Sequence, residues 1–134
     1  MSAPERFSGV LTPVITTFKA DLSPAPDRLL TQCRWMLSQN VSLAAFGTNS
    51  EANSLSVDQK IMLMDRLVEG GIDPKRMMPG TGCCALSDSV RLTEHAVKLG
   101  VGGVLMLPPF YYKGVPDDGL FKNFAEVIER VGSS

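Results

Sequence analysis

Gly47-Thr48-Asn49-Ser50-Glu51 is the stretch on which the fold of this chain turns. It follows a short apolar run, residues 43–46, and precedes a segment in which Ile61, Met64 and Val68 recur at helical spacing. The pentapeptide is therefore a loop that carries the chain from the carboxyl end of a strand into a helix. Ser56 and Gln59 stand three residues apart at the start of that helix, the spacing of a capping box. Gly70 and Gly71 are expected to end it as left-handed caps, and Pro74 prevents its continuation.

The same unit recurs on both sides. Upstream, an apolar run at 9–15 precedes a helix over about 27–39, whose start is marked by Pro24 and Pro26 and whose Leu30, Cys33 and Leu37 form one stripe. Downstream, a run at 77–80 precedes a helix that Ser87 can cap and that buries Val90 and Val97 before it ends near Lys98 and Gly100. A fourth run, 104–107, leads through a proline-rich loop to Leu120, Phe124, Val127 and Val131 at helical spacing. Four alternations of strand and helix predict an α/β fold with a parallel sheet. Periodicity leaves two architectures open, a doubly wound sheet and half of an eight-stranded barrel. No literal repeat, low-complexity tract or linker divides residues 1–134, so one structural body is expected.

In parallel α/β folds the ligand site lies beyond the carboxyl ends of the strands. The loops there carry Thr12-Pro13, the 47–51 pentapeptide, Gly80-Thr81-Gly82, and Pro108-Pro109-Phe110-Tyr111-Tyr112. Thr48 and Asn49 offer side-chain donors beside backbone N–H groups, a cradle suited to the carboxylate of a small keto acid. An ordinary polar turn explains the same residues equally well. Glu51 either orients amides of its own loop or is solvated. The Gly80-Thr81-Gly82 stretch matches neither nucleotide-binding glycine pattern, and close approach of two backbones accounts for it. Tyr111 and Tyr112 can relay protons at the mouth of the site or contact a neighbouring subunit. His95 lies within a helix without a catalytic partner in the sequence, so a structural or surface use is expected.

Thirteen basic and fourteen acidic side chains leave a formal charge of −1, with no basic run to neutralise a row of phosphates, which argues against a nucleic-acid partner. Apolar stretches such as 101–110 fall short of the ~20 residues that a membrane span needs. Residues 1–6 lack the apolar segment of a signal peptide, so a cytoplasmic, soluble protein is expected. Cys33, Cys83 and Cys84 lack the spacing of a zinc site, which points to reduced thiols, with Cys33 used as a small core residue. Lys19, Lys60, Lys75, Lys98, Lys113 and Lys122 all fall in predicted loops or helices. A Schiff-base lysine needs a lowered pKa, which a solvated helix face does not supply. Only Lys113 is expected near the active face, as a rim charge.

Taken in order, Leu11-Thr12-Pro13, the 47–51 loop followed by Leu55-Ser56, the Gly80-Thr81-Gly82 turn and the 108–112 loop resemble the dihydrodipicolinate synthase and N-acetylneuraminate lyase family. The most specific piece is the 47–51 loop, similar to the family's Gly-(Thr/Ser)-Thr-Gly-Glu. The resemblance implies a TIM (β/α)8 barrel of which this chain supplies about the first four βα units. It also implies class I aldolase chemistry, in which pyruvate forms a Schiff base with a lysine and its enamine reacts with, or leaves, a small aldehyde. No metal or organic cofactor is then required, and homotetramers are the usual assembly. By the same resemblance Gly47, Thr48 and Asn49 bind the pyruvate carboxylate, Thr48 and Tyr111 take part in catalysis, and Tyr111 reaches toward a neighbouring subunit's site.

Two positions depart from the family pattern, Asn49 where threonine is preferred and Ser50 where glycine is preferred. If that glycine serves through a positive φ, strain at Ser50 is expected. The family's Tyr-Asn-x-Pro tyrosine belongs to the fifth strand and its Schiff-base lysine to the sixth, both beyond Ser134. The expectation is thus the amino-terminal half of a single barrel domain, truncated before the fifth strand and inactive alone. Two other readings remain, a non-catalytic anion-binding α/β domain and a half barrel that pairs with itself.

Overall fold

The computed structural model describes residues 7–132; the reading of 1–6 as lacking a signal peptide lies outside them. Two short strands, β1 (Leu11–Pro13) and β2 (Ser42–Ala44), and four helices, α1 (Pro26–Ser38), α2 (Val57–Glu69), α3 (Leu86–Lys98) and α4 (Asp117–Val131), alternate with two further extended segments around Met77 and Leu105. β1 and β2 pair in parallel, with Thr12 opposite Leu43. Leu43 in turn bridges Met77 in parallel, and Gly80 bridges Leu105. The amides of Met78 and Gly80 donate to Leu43 and Ala45 at 2.8 and 2.7 Å, while those of Thr81 and Leu105 donate to Leu105 and Pro79, each at 2.9 Å.

Order in space therefore equals order in sequence across all four extended segments. A doubly wound sheet reverses its strand order at a switch point, and this sheet does not. It follows the succession of a singly wound barrel. The ladders are shorter than the apolar runs that predict them. Phe46 adopts a left-handed φ of 58°, which turns the chain out of the β2 direction, and Pro79 has no N–H to give to a ladder.

One layer of core lies between sheet and helices. Val14, Leu43, Ala45 and Met77 from the sheet pack with Leu29, Cys33, Leu63, Met64, Leu67, Leu92 and Ala96. Alternation along a strand sends neighbours to the opposite face, where Ile15, Leu105 and Leu107 are exposed.

The helices sit where their periodicity places them, but several stripes are rotated. In α1 the buried pair is Leu29 and Cys33, with Leu30 and Leu37 only half-buried. A barrel helix serves both the sheet and its neighbour, and Leu30 turns toward α2, where a Cβ on Gly70 would lie 2.5 Å from its methyl carbon. That contact, not a left-handed conformation, explains Gly70, whose φ is −75°; Gly71 alone takes the positive φ, at 87°. In α2 the buried positions are Lys60, Leu63, Met64 and Leu67, with Ile61 and Val68 half-buried.

The capping box at Ser56 is formed in both directions, at 3.1 and 3.0 Å. Ser87 does not cap α3, because the helix begins one residue before it, at Leu86, with Ala85 as its cap. Ser89 holds the approach to α3 instead: its hydroxyl accepts from the Cys83 amide at 2.9 Å and donates to the Cys83 carbonyl at 3.2 Å. The buried face of α3 carries Ser89, Val90, Leu92, Thr93 and Ala96, while Val97 is half-buried. His95 finds a partner the sequence did not reveal, Asp65 of α2, at 2.6 Å, and so ties two adjacent helices.

Burial sorts the thiols. Cys33 is fully enclosed and desolvation raises its pKa from 9.0 to about 12, so it stays neutral and unreactive. Cys83 and Cys84 are half-buried. A thiol-specific disulfide reagent is expected to label Cys83 and Cys84 in the native protein and Cys33 only on unfolding. Three equally fast thiols in mass-resolved labelling would contradict the enclosed Cys33.

Candidate functional site

The site begins with the turn at 47–51. Phe46 at φ 58° and Glu51 at φ 54° bracket it in the left-handed region, and Thr48–Ser50 form a single 3-10 turn between them. The left-handed residue is Glu51, so Ser50 carries none of the strain expected from its departure from glycine. Its side chain is buried, and its hydroxyl donates to the Ala44 carbonyl at 3.3 Å.

Thr48 and Asn49 are exposed on the rim of a cavity of about 170 Å3 formed with Pro13, Ala44, Gly47, Ser50 and Leu105. The opening N–H groups of a helical turn have no partner within it, so backbone and side-chain donors are available at the same place. The volume suits a molecule of a few heavy atoms. A second cavity, about 80 Å3, shares Gly47, Thr48 and Leu105 with the first and has Phe46, Gly80, Gly82, Leu107 and Phe110 on its walls. The sheet thus brings together the pentapeptide, the Gly80-Thr81-Gly82 turn and Phe110.

The two glycines of that turn have a steric cause. A Cβ on Gly80 would lie 2.1 Å from the Phe46 carbonyl oxygen, and one on Gly82 would lie 2.4 Å from the Leu107 nitrogen. Close packing of backbones, as expected from the sequence, is what the turn provides.

Glu51 does neither of the things its sequence position suggested. Its carboxylate accepts the amide of Thr16, 35 residues away and outside its own loop, at 2.7 Å. The Thr16 hydroxyl donates to the Ser50 carbonyl at 2.6 Å. Thr16 escaped the sequence reading because nothing local marks it.

Tyr111 and Tyr112 stand outside both cavities. Their rings meet edge to face at 5.7 Å, and they are 76% and 58% exposed. The mouth is lined from this loop by Phe110. Lys113 is exposed and donates to the Phe110 carbonyl at 3.3 Å, as a rim charge would. Lys60 departs from expectation: it lies on α2 but is only 4% exposed. Its charge acts on the Cys83 thiol, opposing the desolvation that raises the pKa of that group, and it lines neither cavity. Among the described residues there is no cluster of three metal-ligating side chains, and no helix is long and apolar enough to cross a membrane.

Comparison with known proteins agrees with this geometry. The model of the Dihydrodipicolinate synthetase family matches residues 6–133. The chain is 30% identical over 124 residues to 4-hydroxy-tetrahydrodipicolinate synthase of Desulforamulus reducens, covering 92% of this chain and 42% of that protein. It superposes on dihydrodipicolinate synthase from Agrobacterium tumefaciens with a TM-score of 0.89 and 29% identity, covering 93% of this chain and 44% of the other. It is also similar in fold to YagE of E. coli K12, solved in complex with pyruvate, with a TM-score of 0.83, 23% identity and coverage of 92% and 42%. The chain spans less than half the length of each of these relatives.

Proposed function

Since the chain belongs to the dihydrodipicolinate synthetase family, we propose that the whole protein is a Schiff-base-forming, pyruvate-dependent lyase or aldolase to which residues 1–134 contribute the amino-terminal half of one barrel domain. The observation that carries this reading is the position of Thr48 and Asn49, beside a small cavity at the carboxyl end of β2. A pyruvate carboxylate there would take hydrogen bonds from the Thr48 hydroxyl, the Asn49 amide and the N–H groups that open the turn at Gly47. Fixing the carboxylate orients the keto carbon toward the lysine that attacks it.

That lysine and the fifth-strand tyrosine are supplied by the part of the barrel beyond these four units. None of the six lysines in this chain is on a strand or lines either of the two cavities beside Thr48. Attack of a neutral lysine amine on the keto carbon forms a carbinolamine, which takes up a proton and loses water to give the protonated imine. Loss of a methyl proton gives the enamine, whose carbon adds to the aldehyde as the aldehyde oxygen takes up a proton, and water hydrolyses the resulting protonated imine to free the lysine; cleavage runs the same steps in reverse. Pyruvate and a small aldehyde are the partners, in the cytoplasm. The chemistry calls for no metal or organic cofactor. The exposed Tyr111–Tyr112 pair supports assembly as a homotetramer in which Tyr111 serves a neighbouring site.

Borohydride reduction in the presence of pyruvate tests the reading. The whole protein is expected to gain the mass of one reduced pyruvate per chain, at a lysine outside residues 1–134. The 134-residue chain alone is expected to gain none. An unmodified whole protein would reject the Schiff base, and an adduct on Lys60 or Lys113 would reject its placement.

A further inference from the structure

We propose that Thr16 and Glu51 are positioning residues that hold Thr48 and Asn49 against the cavity. The inference rests on the pyruvate reading of that cavity but assigns roles to two residues outside its lining. Glu51 is in the left-handed region at φ 54°, a conformation that a residue with a Cβ adopts only when its surroundings impose it. Phe46, at the other end of the same turn, is held likewise at φ 58°. Left-handed residues on both sides of Gly47 to Ser50 mean that something outside the turn fixes its shape.

Two hydrogen bonds from Thr16 do so. Its amide donates to the Glu51 carboxylate at 2.7 Å, and its hydroxyl donates to the Ser50 carbonyl at 2.6 Å. These bonds close a ring through Ser50 and Glu51, with one charge-assisted member. Thr16 is 7% exposed and Ser50 1%, so water competes poorly for the hydroxyl bond, while the bond to the Glu51 carboxylate is part-buried. Ser50 is anchored a second time, through its own hydroxyl, to the Ala44 carbonyl. The segment after β1 is thereby fastened to the turn that follows β2, and Asn49 and Thr48 sit one and two residues from the fastening. Neither Thr16 nor Glu51 lines the cavity, so both act through the turn and not on the ligand.

The test uses the whole protein and two readouts. Glu51→Ala and Thr16→Val each remove one bond of the ring, while Glu51→Gln and Thr16→Ser keep an acceptor and a hydroxyl. The pyruvate concentration for half-maximal borohydride trapping is expected to rise about tenfold in the first pair and to stay within about threefold of the wild type in the second. Trapping at saturating pyruvate is expected to change little, which separates lost positioning from lost chemistry. Amide hydrogen exchange across residues 46–52 is expected to accelerate in the first pair, with α1, α2 and α3 unaffected.

Unchanged half-saturation in Glu51→Ala and Thr16→Val, with a wild type that does trap pyruvate, would overturn the positioning role. So would unchanged exchange in residues 46–52, whether or not pyruvate is trapped. A wild type that never traps pyruvate would defeat the proposed function and leave the exchange experiment to decide the clamp.

Discussion

Gly80→Ala is expected to destabilise the protein by about 3 kcal/mol or more, placing it among the severe single substitutions. The added carbon would lie 2.1 Å from the Phe46 carbonyl oxygen, 2.7 Å from its carbonyl carbon and 2.9 Å from the Gly47 nitrogen. All three are backbone atoms at a strand end, where no rotamer change can relieve the clash. The Gly80 amide also makes the 2.7 Å bond to Ala45 that joins the second and third segments of the sheet. Relief therefore requires the sheet to part at the place that carries the 47–51 turn. Gly119→Ala in the first turn of α4 is the control: its nearest neighbours would be Pro116 side-chain carbons at 3.6 and 3.8 Å, in ordinary contact. There a gain of a few tenths of a kcal/mol is expected, from helix propensity and a less flexible unfolded chain. Urea denaturation of the three proteins reads the difference. Equal midpoints for Gly80→Ala and wild type would show that the two strand ends do not approach as described.

Thr48→Val, at almost constant volume, is expected to raise the KM for pyruvate about 10- to 100-fold in the whole protein. A hydrogen bond to a charged carboxylate is worth about 1.5 to 3 kcal/mol, and each 1.4 kcal/mol is a factor of ten. Urea stability should be unchanged, since the Thr48 side chain is exposed and has no part in the core. If Thr48 also contributes to proton transfer, kcat falls with the rise in KM, and kcat/KM then falls further than binding alone predicts. Wild-type kinetics in Thr48→Val would remove the residue from the site and leave the pentapeptide as an ordinary polar turn.

Local chemistry made much of the molecule legible. The alternation of four apolar runs with four helical periods depends on residues a few positions apart; the first three helices stand within about two residues of the expected spans, and the fourth begins at Asp117, ahead of the Leu120 that opens its apolar period. The Ser56 capping box is a three-residue contact and forms as written. Gly80 and Gly82 announced a close backbone approach because no other residue permits one. The 47–51 turn likewise stands where its pattern puts it, after a strand and beside a small cavity.

Tertiary structure alone decided the order of the strands, because pairing β1 to β2 or Gly80 to Leu105 joins segments whose local patterns are indistinguishable. It decided which flank of α1 is buried, turning Leu29 to the sheet and Leu30 toward Gly70, a choice set by where the next helix lies. It moved the strain of the turn from Ser50 to Glu51 and gave the Glu51 carboxylate to Thr16. Those bonds span 34 and 35 residues, and their partners become neighbours only after the parallel sheet has formed. The sequence by itself determined the units and the place of the 47–51 turn; the sheet determined which groups are bonded to that turn.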